Sequence, residues 1–106
     1  MTGWLALAIA GLMEIVWTLG LKYSDGFTRL GPNLVAAVAL PLSFIFLGLS
    51  LKSVPFAVAY VIWAGIGAAG AVAAGMVLFE EPVDAVRIFC LGLIVVGTVG
   101  LKLASP

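Results

Sequence analysis

The chain has no histidine, a single cysteine, and charged side chains at only nine per cent of its positions. Each shortage excludes something. Without histidine there is no imidazole metal site and no imidazole proton relay. A lone Cys90 can close no internal disulfide, and its apolar setting predicts that it packs among neighbouring side chains. Five basic residues balance five acidic ones, so there is no basic surface for nucleic acid. The sequence also lacks a phosphate-binding loop, a catalytic pair of carboxylates with a nucleophile, and any cluster of metal ligands. It therefore predicts no enzyme, no catalytic residue, no metal and no cofactor. Nor can so few charges clothe a water-soluble domain.

What remains is apolar. Hydrophobic residues make up 64% of the 106 positions, and the mean hydropathy is +1.30. The charges gather in breaks: Lys22, Asp25 and Arg29, then Lys52, then Glu80, Glu81, Asp84 and Arg87, and last Lys102. Between them lie apolar intervals close to the roughly 20 residues that an α-helix needs to cross a bilayer. The expectation is an all-α membrane protein with spans near 3–22, 32–51, 56–79 and 85–103, forming one unit over 1–106. Asp25-Gly26, Gly31-Pro32, Ser53-Val54-Pro55 and Glu81-Pro82 mark its turns. Such short connections predict sequential helices packed as antiparallel neighbours. The first span does not read as a secretory leader, because it has no basic leading region and holds a carboxylate at its centre.

Four spans put Lys52 and Lys102 on one side of the membrane, and Lys22, Arg29 and Arg87 on the other. Two against three is nearly no bias, and an excess of basic residues on one side is what normally fixes orientation. Insertion in both directions is expected, with a weak preference for one side as the alternative. Four short helices also enclose little space alone, so a partner subunit is expected to supply a second wall.

Glu14 is the one acidic residue deep within an apolar segment. A carboxylate at mid-bilayer costs about 3 kcal/mol on insertion scales, so it is rare without a role. The costly form is the charged one, which suits Glu14 to hold a proton until a cation restores the charge. Leu7, Ala10, Gly11, Trp17, Thr18 and Leu21 share its helix face. Trp17, one turn on, reads either as a ring for a cation or as a packing aromatic. Tyr60 and Trp63 share a face of the third span, with polar tips that need partners when buried. They suit a cavity wall, or orient a carboxylate. Gly65, Gly67 and Gly70 permit either a hinge or a close packing seam. Pro41 predicts a kink in the second span. Ser43 beside it is expected to bond its own helix backbone, with a site carboxylate as the alternative. Lys102, at a helix end, is expected to extend toward the headgroups.

Glu14, the segment Lys22-Tyr23-Ser24-Asp25-Gly26-Phe27-Thr28-Arg29-Leu30 and the pattern Ala59-Tyr60-x-x-Trp63-x-Gly65-x-Gly67 together resemble the small multidrug resistance family over nearly the whole chain. Met13-Glu14-Ile15-Val16-Trp17, Gly20-Leu21-Lys22-Tyr23 and Gly97-Thr98-Val99-Gly100-Leu101-Lys102 are similar to its guanidinium-exporter subtype; the multidrug subtype has a small residue where Trp17 stands. The resemblance implies an antiparallel, dual-topology dimer in a bacterial inner membrane that exchanges protons for small cations. It implies that Glu14 binds substrate and proton in turn, and that Trp17, Ser43, Tyr60 and Trp63 line the site. The subtype carries hydroxyls where this chain has Val58 and Ala64. Their loss makes these two positions selectivity candidates and leaves room for substituted guanidines, or for pairing with a paralogue. Pro41 also departs from the pattern.

Two other functions fit parts of the sequence. An exporter of hydrophobic quaternary ammonium ions suits Val58 and Ala64, but not Trp17 or Lys102. A rotor-type proton-binding subunit suits a Gly-rich chain with one buried carboxylate, but leaves Trp17, Tyr60 and Trp63 without purpose.

Overall fold

A computed structural model describes residues 2–105. It contains four helices, α1 (Gly3–Tyr23), α2 (Leu30–Ser50), α3 (Phe56–Leu78) and α4 (Ala85–Ala104), each long and apolar enough to cross a membrane. Every boundary lies within two residues of its expected place. The largest difference is at the start of α2, where Gly31-Pro32 sits inside the first turn instead of before it. Proline is tolerated there because the first backbone N–H groups of a helix have no partner within it.

Local chemistry sets the ends. Thr2 caps α1 by accepting from the Leu5 amide at 3.1 Å, and Asp84 caps α4 by accepting from the Arg87 amide at 2.8 Å. Lys22 and Lys102 stand in the last turns of α1 and α4, where the helix dipole favours a cation. The first connection turns through left-handed backbone at Asp25, Gly26 and Phe27, with φ of 50°, 72° and 70°. Side chains sustain it: the Ser24 hydroxyl accepts from the Phe27 amide at 3.1 Å, and the Asn33 amide donates to the Phe27 carbonyl at 2.8 Å.

The helices do not pack simply in chain order. α1 is central, lying along both α2 and α3, while α2 and α3 meet only narrowly. Small residues make this possible. Ala6, Ala10, Gly11 and Gly20 are the buried small positions of α1, and they let two neighbours approach closely. Ile66 of α3 fills the space beside Gly11, Ile15 of α1 fills the space beside Gly70, and Gly20 lies under the Pro32 carbonyl and Ala36. The core of Leu7, Ala10, Val54, Ala59, Ile62 and Trp63 gathers toward the end that carries the α2–α3 connection. At the opposite end Phe79 stacks on Tyr23, with ring centroids 5.3 Å apart, and Lys22 lies over the same ring.

α4 runs beside α3, and none of its described residues is buried. Thr98 fills the space beside Gly65. This overturns the expectation for Cys90, which is exposed. A helix with one neighbour turns most of its circumference outward, so an apolar sequence around a cysteine does not ensure burial. The Lys102 ammonium sits 5.0 Å above the ring of Trp4, in the first turn of α1, where a cation gains from the ring's negative face. α2 continues as unbroken helix through Pro41.

Candidate functional site

Glu14 lies midway along α1, on the side facing α3. Its carboxyl group rests against Gly67, in the space that a side chain at that position would fill. Oε2 is buried and has no hydrogen-bond partner among the described residues. Its backbone is better secured, since the Thr18 hydroxyl lies 2.9 Å from the Glu14 carbonyl and 3.0 Å from that of Ile15. Thr18 shares the Glu14 face in the sequence, and its spacing is the one at which a helical threonine bonds the carbonyl four residues before it.

Trp17 stands one turn further on, and its Nε1 is likewise buried without a partner. Its ring lines a groove between α1 and α2 together with Leu21, Asn33, Ala36, Ala37 and Leu40. An unused acceptor and an unused donor therefore occur three positions apart on α1, the first toward α3 and the second beside the α1–α2 groove. A buried polar group without a partner costs about 1–3 kcal/mol, so both atoms are poised for something else to meet them.

Ser43 departs from expectation. Its hydroxyl does not bond its own helix but donates across to the Ala10 carbonyl of α1 at 2.8 Å. It accepts in turn from Trp63 Nε1 of α3 at 2.9 Å. Three helices are thus tied through one fully buried hydroxyl. The sequence placed Ser43 and Trp63 separately; nothing in it says that they meet. The bond also engages the Trp63 N–H with Ser43, so that N–H is not free to donate to a carboxylate.

Around that ring the aromatics converge. Tyr60 and Phe44 lie 5.8 and 5.7 Å from Trp63 between ring centroids, both tilted. Tyr60 is 54% exposed, at an open face of α3, whereas Trp63 is 8% exposed. Phe44 follows Ser43 directly, but only the packing of α2 against Trp63 reveals its place in this wall.

The remaining positions separate. Ala64 lines a groove between α3 and α4 with Tyr60, Gly65 and Thr98. Val58 packs on the core cluster instead. Two residues before Tyr60, it falls on the other side of the helix. Gly65, Gly67 and Gly70 each receive a side chain of a neighbouring helix, respectively Thr98, Glu14 and Ile15.

The family model described as "Small Multidrug Resistance protein" matches residues 2–94. The chain is similar to a protein of Yersinia pestis named "Guanidinium exporter", with 49% identity over 102 residues, 96% of this chain and 98% of that one. Proteins of the same name from Citrobacter freundii and Klebsiella oxytoca are each 45% identical over 102 residues, 96% of this chain and 97% of theirs. With four membrane-spanning helices, that match over residues 2–94 and relatives 45–49% identical along nearly the whole chain, the chain belongs to the small multidrug resistance family.

Proposed function

We propose that the protein is a proton-coupled antiporter that exports guanidinium or small substituted guanidinium ions across the bacterial cytoplasmic membrane. The observation that carries this is Glu14, an acid at mid-span with an unpartnered buried oxygen, flanked by an indole whose N–H is also free. Similarity along nearly the whole chain to proteins named as guanidinium exporters supports the choice of cargo.

The geometry suits the task. Guanidinium is planar and offers paired N–H groups, which a carboxylate receives in a two-pronged arrangement. Trp17 and the Phe44–Trp63–Tyr60 wall present ring faces to a cation. Proton and cation compete for the same carboxyl group, so each leaves as the other arrives. Coupling follows if only the loaded forms exchange access between the two sides.

The working unit is a dimer of oppositely oriented copies. The near balance of Lys22, Arg29 and Arg87 against Lys52 and Lys102 supports both orientations. α4, exposed along the face away from α3, is free to meet another chain. In such a pair two Glu14 side chains share one cavity, and their mutual repulsion opposes joint ionisation. A homodimer meets this need, and a heterodimer with a paralogue meets it equally.

The test is current through proteoliposomes exposed in turn to guanidinium, methylguanidinium, guanylurea and tetrapropylammonium. Proton-linked current with the guanidines and little with tetrapropylammonium is expected. Current with tetrapropylammonium alone would establish the quaternary-ammonium exporter instead, and no proton-linked current with any of the four would end the antiporter reading.

A further inference from the structure

We propose that Gly67 is a positioning residue for the exchange: the side chain it lacks leaves a seat in α3 for the Glu14 carboxyl group, occupied while Glu14 carries a proton and vacated when it takes a cation. This rests on the antiport reading above, and adds to it a second position for the carboxyl group and the residue that creates it.

The seat is defined by what would fill it. A Cβ on Gly67 would stand 2.6 Å from Glu14 Cδ, closer than such atoms approach, with Oε2 nearer still and Cγ in tight contact at 3.2 Å. Any larger residue at 67 would turn the carboxyl group out. The seat also offers Oε2 no hydrogen-bond donor among the described residues. A neutral carboxylic acid tolerates that far better than a carboxylate, whose burial without partners is much more costly. An anion gains by leaving for a position where water or a cation can reach it. The step is a proton transfer: the seated acid releases its proton to water in the cavity, and the freed carboxylate pairs with the incoming cation. Return of a proton and loss of the cation reverse it.

Neighbouring contacts indicate that the seat is separate from the seam that holds the helices. Ile66 against Gly11 and Ile15 against Gly70 fix the α1–α3 register on either side with apolar side chains. Of the side chains lodged against glycines in this seam, only that of Glu14 titrates. Within one copy no other titratable group of the helices packed on α1 competes nearby; in the proposed pair the second Glu14 is the group that faces it. α2 contains none, and the one on α3 is Tyr60. On α1, Lys22 and Tyr23 are engaged with Phe79 two turns away.

The test begins with the unmodified protein in lipid bilayers, labelled with ¹³C at Glu14 and Gly67. Solid-state NMR should show a Glu14 Cδ to Gly67 Cα cross-peak at low pH without cargo. The peak should vanish as pH rises with no cation present, and vanish at fixed pH with saturating guanidinium. The pH arm needs no transport, so it judges the seat even if guanidinium proves not to be the cargo. A cross-peak that persists through both changes would overturn the proposal.

Gly67→Ala and Gly70→Ala provide the kinetic arm. With the seat filled, a cation no longer has to extract the carboxyl group. KM for guanidinium should fall about fivefold or more, the equivalent of relieving one buried unpaired polar group. Turnover should fall as well, because a proton no longer draws the carboxyl group away from its cargo. The variation of KM with pH should flatten. Gly70→Ala disturbs the same seam at Ile15 and should leave KM and its pH profile unchanged. Parallel behaviour of the two variants would reduce Gly67 to a packing residue and overturn the proposal, and the NMR arm decides the matter should either variant fail to fold.

Discussion

Trp63 donates its indole N–H to the Ser43 hydroxyl across 2.9 Å, and through that hydroxyl α3 and α2 are both joined to the Ala10 carbonyl of α1. One oxygen thereby ties three helices together. Its importance lies in what becomes unpaired when it is removed.

Ser43→Ala strands the Trp63 N–H and one lone pair of the Ala10 carbonyl, at a cost of about 1–3 kcal/mol. Trp63→Phe leaves the Ser43–Ala10 bond intact. In a double-mutant cycle read by thermal unfolding in detergent, the two changes should therefore be non-additive, with a coupling of about 0.5 kcal/mol or more. Additive losses would show that the bond contributes nothing to holding the helices.

Glu14→Gln should abolish guanidinium-driven proton flux while leaving a folded, membrane-inserted protein. The amide nearly matches the carboxyl group in shape, but neither titrates nor carries a negative charge. Proton flux in liposomes, beside size-exclusion behaviour in detergent, checks both halves. Flux at the level of the unmodified protein would remove Glu14 from the mechanism.

A reporter fused to the C-terminus should give signal on both sides of the membrane. Adding two lysines to the Lys52 side alone should drive the population to one orientation, because basic residues near span ends govern insertion. Signal from a single side in the unmodified protein would reject dual topology.

Val58→Thr and Ala64→Thr test the missing hydroxyls separately, as their positions demand. Ala64 lies beside Tyr60, and a hydroxyl there should shift the ratio of guanidinium to methylguanidinium current toward the bare ion. An apolar wall gains roughly 0.8 kcal/mol for each CH₂ it buries, and a polar one forfeits that gain. Val58 packs on the core, so a hydroxyl there should lower the unfolding temperature and leave the ratio unchanged. A ratio moved by Val58→Thr and not by Ala64→Thr would reverse this assignment.

The spans were legible because hydropathy and charge breaks are properties of the chain alone. Glu14 was legible because a carboxylate has no ordinary place in an apolar helix. What could not be read was which helix meets which. Ser43 has partners 33 and 20 residues away, at Ala10 and Trp63. A serine in a helix has a nearer carbonyl always available, and only the close approach of α1 displaces that choice. Cys90 was misread for the same reason. Its neighbours in sequence are apolar whether α4 is surrounded or, as here, has one neighbour. Val58 and Ala64 both differ from the subtype pattern, yet they lie in different surroundings because a helix separates them.

The buried core lies toward the end with the α2–α3 connection, while the other end is closed by Phe79 between Tyr23 and Lys22. A single copy is thus firm at one end and latched at the other. Set two copies head to tail, and each leaflet of the bilayer receives one firm end and one latched end. In the antiparallel pair proposed above, neither compartment would be mechanically privileged, and the direction of export would come from the proton gradient and not from the protein.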